Sequence, residues 1–356
     1  MPGGYDEVPR ALALLRRHGW NATSFQILEP GFRYWFDGGP ANEACVAYID
    51  TRRAWVAAGA PIAPPEAVAV VAQRFVTAAA ARGRRACFFG TEERFTVGTP
   101  FAAMRIGEQP VWDPRDWDRT LAAAPSLRAQ IRRARAKRVE VLAFDPRRVA
   151  DVDGQPRRDV DQLVARWQAA RPMPPMGFLV QMHLDSAIDE RRFFAAYQGS
   201  TLVGFLSMVP VFARRGWFIE DLLRLPDAPN GTAELLVDAA MRAAATEDSG
   251  YATLGLAPLA GPLGPWLRLA RRTGLPLYDF RGIQVFKAKL RPQSWSPIFV
   301  SYPPGQTGIA TVVDVLGAFA RGGLLRFGAE TLLRRPGVLM QALALWVGRR
   351  SGRAGD

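Results

Sequence analysis

Residues 217–232, W-F-I-E-D-L-L-R-L-P-D-A-P-N-G-T, constrain the fold more than any other stretch of this chain. Apolar and β-branched side chains over 217–225 read as a buried strand, yet Glu220, Asp221 and Arg224 place three charges inside it. Buried charges need partners or a chemical task. The strand runs into a Pro/Gly loop, and the pattern predicts a helix over 232–245 with Asn230 as N-cap, followed by Gly231 and Thr232. Unpaired N–H groups at such a helix start, with the positive end of the dipole behind them, make a seat for an anion. An ordinary strand-loop-helix carrying an Asp-Arg ion pair is the plainer reading of the same residues.

The flanking pattern predicts a helix over 159–170, a short helix over 190–195, a short strand ending at Tyr197, and a long strand over 201–212 turning at 213–216 into the charged strand. After the 232–245 helix come a strand over 252–256, a helix over 266–273 and two strands over 277–281 and 283–288. The first half reads as a helix over 8–18, a hairpin of 32–36 with 44–49, a helix over 66–82 and a buried strand over 86–90. Between the halves lies a helix over 126–138 with Ser126 as cap. Its Arg128, Arg132, Arg135 and Arg138 recur every three or four residues along one face, opposite Leu127, Ile131 and Ala134. With Lys137 included, six positive charges in eleven residues have no acid among them, which fits either a solvated face or a phosphate backbone.

At 356 residues the chain has room for two domains, drawn here as 1–150 and 151–302 with a tail over 303–356. The net charge of +13 favours polyanionic partners, nucleic acid or an anionic membrane surface. Only three of the 46 basic residues are lysines, so Lys287 and Lys289, two positions apart, stand out. Two cysteines and two histidines cannot supply a disulfide framework or a metal cluster, so a reducing compartment, no metal and no cofactor are expected. The N-terminus has no signal-peptide pattern, and no run of about 18 apolar residues is present to span a bilayer.

The order of elements in the second half resembles a GNAT acyltransferase domain, in which the strand before the loop diverges from the next one. The loop itself departs from that fold's glycine-rich signature and offers fewer inward N–H groups to a coenzyme A pyrophosphate. Four ordered motifs carry a closer resemblance: M-G-F at 176–178, E-D-L-L-R-L-P-D-A-P-N-G-T at 220–232, L-G-L-A-P-L-A-G at 254–261 and Y-D-F-R-G-I-Q-V-F-K-A-K-L-R-P-Q-S-W at 278–295. Together they are similar to the catalytic domain of bacterial phosphatidylglycerol lysyltransferases of the MprF type, over roughly residues 25–302. The resemblance implies an α+β protein of two tandem GNAT-like domains with mixed, mainly antiparallel sheets. It also implies transfer of an aminoacyl group from aminoacyl-tRNA to a membrane-lipid hydroxyl. The family's multi-span flippase is not among the matching segments, so lipid flipping is not implied.

On that resemblance Asp221, Arg224 and Lys287 are the expected catalytic residues. Glu220, Asn230, Gly231, Thr232, Glu234, Tyr278 and Lys289 are expected to bind substrate. Asp221 would orient or deprotonate the lipid hydroxyl, or grip the aminoacyl ammonium, while Arg224 and Lys287 would hold phosphate. A bulge or the strand end is expected to bring Asp221 and Arg224 together, because plain alternation puts them on opposite faces. Arg128, Arg132, Arg135, Lys137 and Arg138 would meet tRNA. The tail, apolar but fenced by arginines, reads as an amphipathic helical segment for an anionic membrane surface or for the protein's own body, placing the protein peripherally on the inner face of the cell membrane. An acyl-CoA-dependent acyltransferase and a non-catalytic RNA- or membrane-binding module are the alternatives.

Overall fold

The computed structural model describes residues 7–38, 43–170, 183–264, 267–268 and 280–320. Tyr278, the 176–178 motif, most of the expected 266–273 helix and the tail beyond 320 lie outside the described residues. The strands are β1 (Arg33–Asp37), β2 (Ala44–Asp50), β3 (Ala54–Ala58), β4 (Arg85–Glu92), β5 (Ala102–Trp112), β6 (Val139–Phe144), β7 (Arg192–Gln198), β8 (Thr201–Val211), β9 (Gly216–Arg224), β10 (Ala252–Thr253), β11 (Ala257–Pro258) and β12 (Ser294–Tyr302). The helices are α1 (Glu7–His18), α2 (Val68–Ala80), α3 (Glu93–Val97), α4 (Trp117–Ala122), α5 (Pro125–Ala136), α6 (Pro146–Ala150), α7 (Gln155–Ala169), α8 (Thr232–Thr246), α9 (Phe280–Lys289) and α10 (Gly308–Phe319). The class is α+β with a mixed, mainly antiparallel sheet, as the resemblance implied.

One sheet runs through both halves in the order β1-β2-β3-β4-β12-β5-β10-β9-β8-β7-β6, with β11 on β5. Two strands cross the boundary drawn at residue 150. β6, from before it, pairs with β7 at the far edge, whereas β12, from near the end, inserts between β4 and β5. The basic helix α5 likewise buries Leu127, Ile131 and Ala134 in the core it shares with β7, β8 and α8. The chain therefore interlaces its halves, and β12 is as much part of the first half as any strand encoded there.

The hairpin β1–β2, the helix at 68–80, the long strand β8 and the charged strand β9 lie where sequence periodicity placed them. The region 190–195 does not: a single 3-10 turn over Ile188–Glu190 leads straight into β7, whose central residues are buried on both faces. Residues 280–289 form a helix instead of two strands. Lys287 and Leu290 are buried, Ile283 and Phe286 are half-buried, and Val285 faces solvent, so the burial follows a helical repeat that its β-branched residues had masked. β3, β5 and β12 carried too little alternation to be read as strands.

Candidate active site

Parallel pairing between β9 and β10 covers only Trp217↔Ala252 and Phe218↔Thr253. Beyond those pairs the two strands diverge: β9 continues to Arg224 along β8, while the chain after β10, already paired with β5, stays beside β5 and pairs with it again as β11. The β10-facing edge of β9 is thus open next to Glu220 and Asp221. On the other edge the register places Ile219 opposite Met208 and Asp221 opposite Ser207, which makes Glu220 the extra residue of a β-bulge.

The bulge precedes Asp221, and this overturns the expectation that it brings Asp221 and Arg224 together. Arg224 pairs with Gly204, a position that faces α8, where an added Cβ would sit 3.0 Å from Leu236 and Thr232. Ser207, three residues along β8, faces the other way, and so does its partner Asp221. Arg224 Nη1 donates to the carbonyl of Ala228 at 3.2 Å and so braces the loop into α8.

Asp221 accepts a hydrogen bond from Ser207 Oγ at 2.7 Å. Behind it lies a group of charges that the sequence did not disclose. Arg191 is completely buried; its Nη1 donates to Glu220 Oε2 at 2.5 Å, its Nε donates to the Ser186 carbonyl at 2.9 Å, and its guanidinium lies 5.3 Å from the centre of the Phe25 ring. Its remaining nitrogen is 4.0 Å from Glu29, a buried carboxyl contributed by the first half. Three carboxyls therefore share one guanidinium. Burial, then the neighbouring charge of Glu220, pushes Asp221 up to about 7, although Ser207 pulls the other way. Burial and Glu220 together hold Glu29 far above the ordinary carboxyl range.

On the opposite side of the opening, Lys287 reaches from α9 and donates to the carbonyls of Leu254, Gly255 and Leu256 at 2.8, 2.8 and 2.9 Å. An ammonium has three N–H donors, and all three are used. Lys287 thus anchors the strand that leaves β9 and has no donor left for a phosphate. Burial pushes its ammonium down to about 7, while the three carbonyls favour the charged form. Lys289 pairs with Glu234, in the first turn of α8, at 3.2 Å.

The expected anion seat at α8 is occupied by the protein itself. The N-cap is Gly231, with φ of 95°, and Asn230 is exposed. A Cβ at Gly231 would lie 2.0 Å from the carbonyl oxygen of Gln130 on α5, so only glycine lets the helices approach this closely. Thr232 is buried and donates back to Pro229, and the buried Glu234 already brings a carboxylate to the positive end of the dipole.

Of the residues expected to meet tRNA, Arg128 donates to the carbonyls of Leu121 and Ala122, ending α4, and Arg135 pairs with buried Asp238 at 3.0 Å. Arg132 and Lys137 are exposed, as is Arg138, which follows the helix with a left-handed φ of 58°. Glu29, Arg191 and Ser207 were not singled out from sequence. Glu29 sits in I-L-E-P-G and reads as a turn acid, and Arg191 lies in the surface-like run D-E-R-R, so neither carried a local signal.

A sequence profile described as "Phosphatidylglycerol lysyltransferase, C-terminal" matches residues 12–302. No curated relative matches the sequence significantly. Among solved structures, the C-terminal domain of a putative lysylphosphatidylglycerol synthetase from Agrobacterium fabrum superposes with a TM-score of 0.74 at 20% identity, over 89% of this chain and 98% of that one. L-PGS from Bacillus licheniformis gives 0.71 at 17% identity, over 90% and 98%. FemX gives 0.54 at 9% identity, over 85% and 97%. At these identities the superpositions establish a shared fold. Because the profile spans most of the chain, the protein belongs to the phosphatidylglycerol lysyltransferase C-terminal family and is a transferase, a lysylphosphatidylglycerol synthetase-like aminoacyltransferase.

Proposed function

We propose that the protein moves an aminoacyl group from aminoacyl-tRNA to a hydroxyl of an anionic membrane lipid such as phosphatidylglycerol. The observation that carries this reading is the sheet opening beyond Phe218 and Thr253, with the half-buried Asp221 on the open strand edge, hydrogen-bonded to Ser207 and shifted toward neutral titration. An aminoacyl ester is already activated, so the protein needs only to align an alcohol, accept its proton and stabilise a tetrahedral oxyanion. Asp221 takes the proton from the lipid hydroxyl as its oxygen attacks the ester carbonyl. The C–O bond to the terminal ribose breaks, and the proton passes to the departing ribose oxygen. Backbone groups along the open strand edge are the candidate partners for the oxyanion.

Closure of the α8 N-terminus by Gln130 supports an RNA-borne donor over coenzyme A, whose pyrophosphate needs that position free. Exposed Arg132, Lys137 and Arg138 provide positive charge for an RNA backbone. No helix among the described residues is long and apolar enough to cross a membrane. Peripheral contact with the inner face of the membrane fits α10, which exposes Ile309, Val313 and Leu316 on one side and is clamped to the body by Arg85–Asp314 on the other. The test incubates purified protein with phosphatidylglycerol liposomes and aminoacyl-tRNAs and follows aminoacylated lipid by mass spectrometry. Product with acyl-CoA alone, and none with aminoacyl-tRNA, would overturn the reading.

A further inference from the structure

The charges behind Asp221 do not balance. Glu29, Glu220 and Asp221 face one guanidinium, Arg191, and among the described residues no other cation forms an ion pair with any of the three. Both carboxyl oxygens of Glu29 and Oε1 of Glu220 are buried without a hydrogen-bond partner among the described residues, and Arg191 Nη2, itself unpaired, stands off at 4.0 Å from Glu29. The two carboxyls stand side by side at the two ends of the same guanidinium, Glu29 4.0 Å from Nη2 and Glu220 2.5 Å from Nη1, with their unpaired oxygens buried together. Two carboxylates can meet in this way only if a proton lies between them, because each alone is an acceptor. Two uncompensated negative charges in so dry a place would otherwise repel each other at low dielectric.

We propose that Glu29 is a positioning residue of the transfer site: it carries a proton that it donates to Glu220, so that Glu220 and Arg191 form a neutral pair and Asp221 alone is left to take up and release a proton. The first half thereby contributes to chemistry carried out on the second. Glu29 caps the 3-10 segment Ala22–Leu28, whose Phe25 packs on Arg191, and this segment also contacts β8 and β9. The contribution is electrostatic. A neutral Glu29 adds no negative charge near Asp221, whereas an ionised one would hold Asp221 protonated well above the pH at which it must act. The role in catalysis rests on the function proposed above, but the location of the proton does not.

The test separates the two. Infrared difference spectra between wild type and Glu29→Gln at pH 8 should contain the carbonyl stretch of one protonated carboxylic acid, shifted in heavy water and assigned to Glu29. Buried Glu92, also raised by burial but paired with Arg214, cancels in this difference. Absence of the band would overturn the proposal whatever the enzyme does, and its presence would stand even if aminoacyl-lipid synthesis were not found. In the transfer assay Glu29→Gln, which still donates to Glu220, should keep roughly tenfold more kcat/KM than Glu29→Ala. The acid limb of the Glu29→Gln rate profile should coincide with that of wild type, whereas Glu220→Gln should move it to lower pH. A limb displaced downward in Glu29→Gln would mean that Glu29 is ionised, and would also overturn the proposal.

Discussion

The two halves of this sheet each contain a strand-helix-strand unit with parallel strands, and they handle it in opposite ways. In the first half β3 and β4 pair over five residues, from Ala54↔Arg85 to Ala58↔Phe89, and Gly59 extends the contact by donating to the Phe89 carbonyl at 2.7 Å. In the second half β9 and β10 pair over two. The closed unit has an all-apolar strand, A-W-V-A-A, buried along its whole length. The open unit has a strand with two adjacent acids, the first of them the extra residue of a bulge, and a lysine from a later helix that takes up the carbonyls of the departing strand. An open sheet edge leaves backbone groups without ladder partners, so it persists only where something else satisfies them. Lys287 does this for one strand; β3 and β4 need nothing of the kind because they pair with each other.

Charge placed in the closed unit should be the most damaging change. Val56→Asp puts an unpaired carboxylate in the completely buried centre of β3 and should cost about 4 kcal/mol or more, seen as loss of the cooperative unfolding transition. Asp221→Asn makes the converse change in the open unit. Transfer to lipid should fall by roughly 10²- to 10⁴-fold, while the unfolding midpoint stays level or rises, in a single-turnover assay run beside thermal melts. An equal loss of stability and activity in this variant would erase the distinction between the two units.

Lys287→Met removes the anchor and leaves three carbonyls unsatisfied, a loss of roughly 2–4 kcal/mol by urea titration. Amide exchange over 219–223 sharpens the comparison: new protection in the variant would mean that β9 and the chain after β10 zip together once the lysine is gone.

Titration should also distinguish the units. Asp221 is raised from 3.8 to about 7, so its basic form accumulates as pH rises through about 7, and the transfer rate should climb over the same window. Stability runs the other way. The folded chain keeps a proton that the unfolded chain has already lost, so this group's contribution is complete below about pH 4 and declines as pH rises toward 7. Ser207→Ala removes a hydrogen bond to the carboxylate and should move the rate limb to higher pH. The smallest effects belong to the basic surface. Arg132→Gln or Lys137→Gln should reduce the slope of tRNA affinity against salt by about one per residue without changing stability, whereas Arg135→Ala, which deprives buried Asp238 of a partner, should lower stability.

Much of the open unit was legible before folding, because its signals are local. The acids inside an apolar run, the Pro/Gly loop and the alanine-rich helix that follows all lie within thirty residues, and two lysines stood out against an arginine-rich background. The expected roles were less legible. Arg224 was assigned to phosphate but braces its own loop, and Lys287 was assigned to phosphate but holds a backbone. In both cases residue type was informative and orientation was not, since orientation depends on which side of Asp221 the bulge falls and on 280–289 being helical.

The amino-acid sequence by itself determined the first hairpin, the helix after it, the charged strand with the loop and helix that follow, and the family to which the chain belongs, because periodicity, turn chemistry and motif spacing are carried by neighbouring residues. Only the tertiary structure decided that β12 returns to the first half, that α5 closes the α8 N-terminus, and that Glu29 and Arg191 stand behind Asp221. These arrangements depend on contacts between residues far apart along the chain, whose energies come from shared burial and unbalanced charge, and neither quantity exists until the chain has folded.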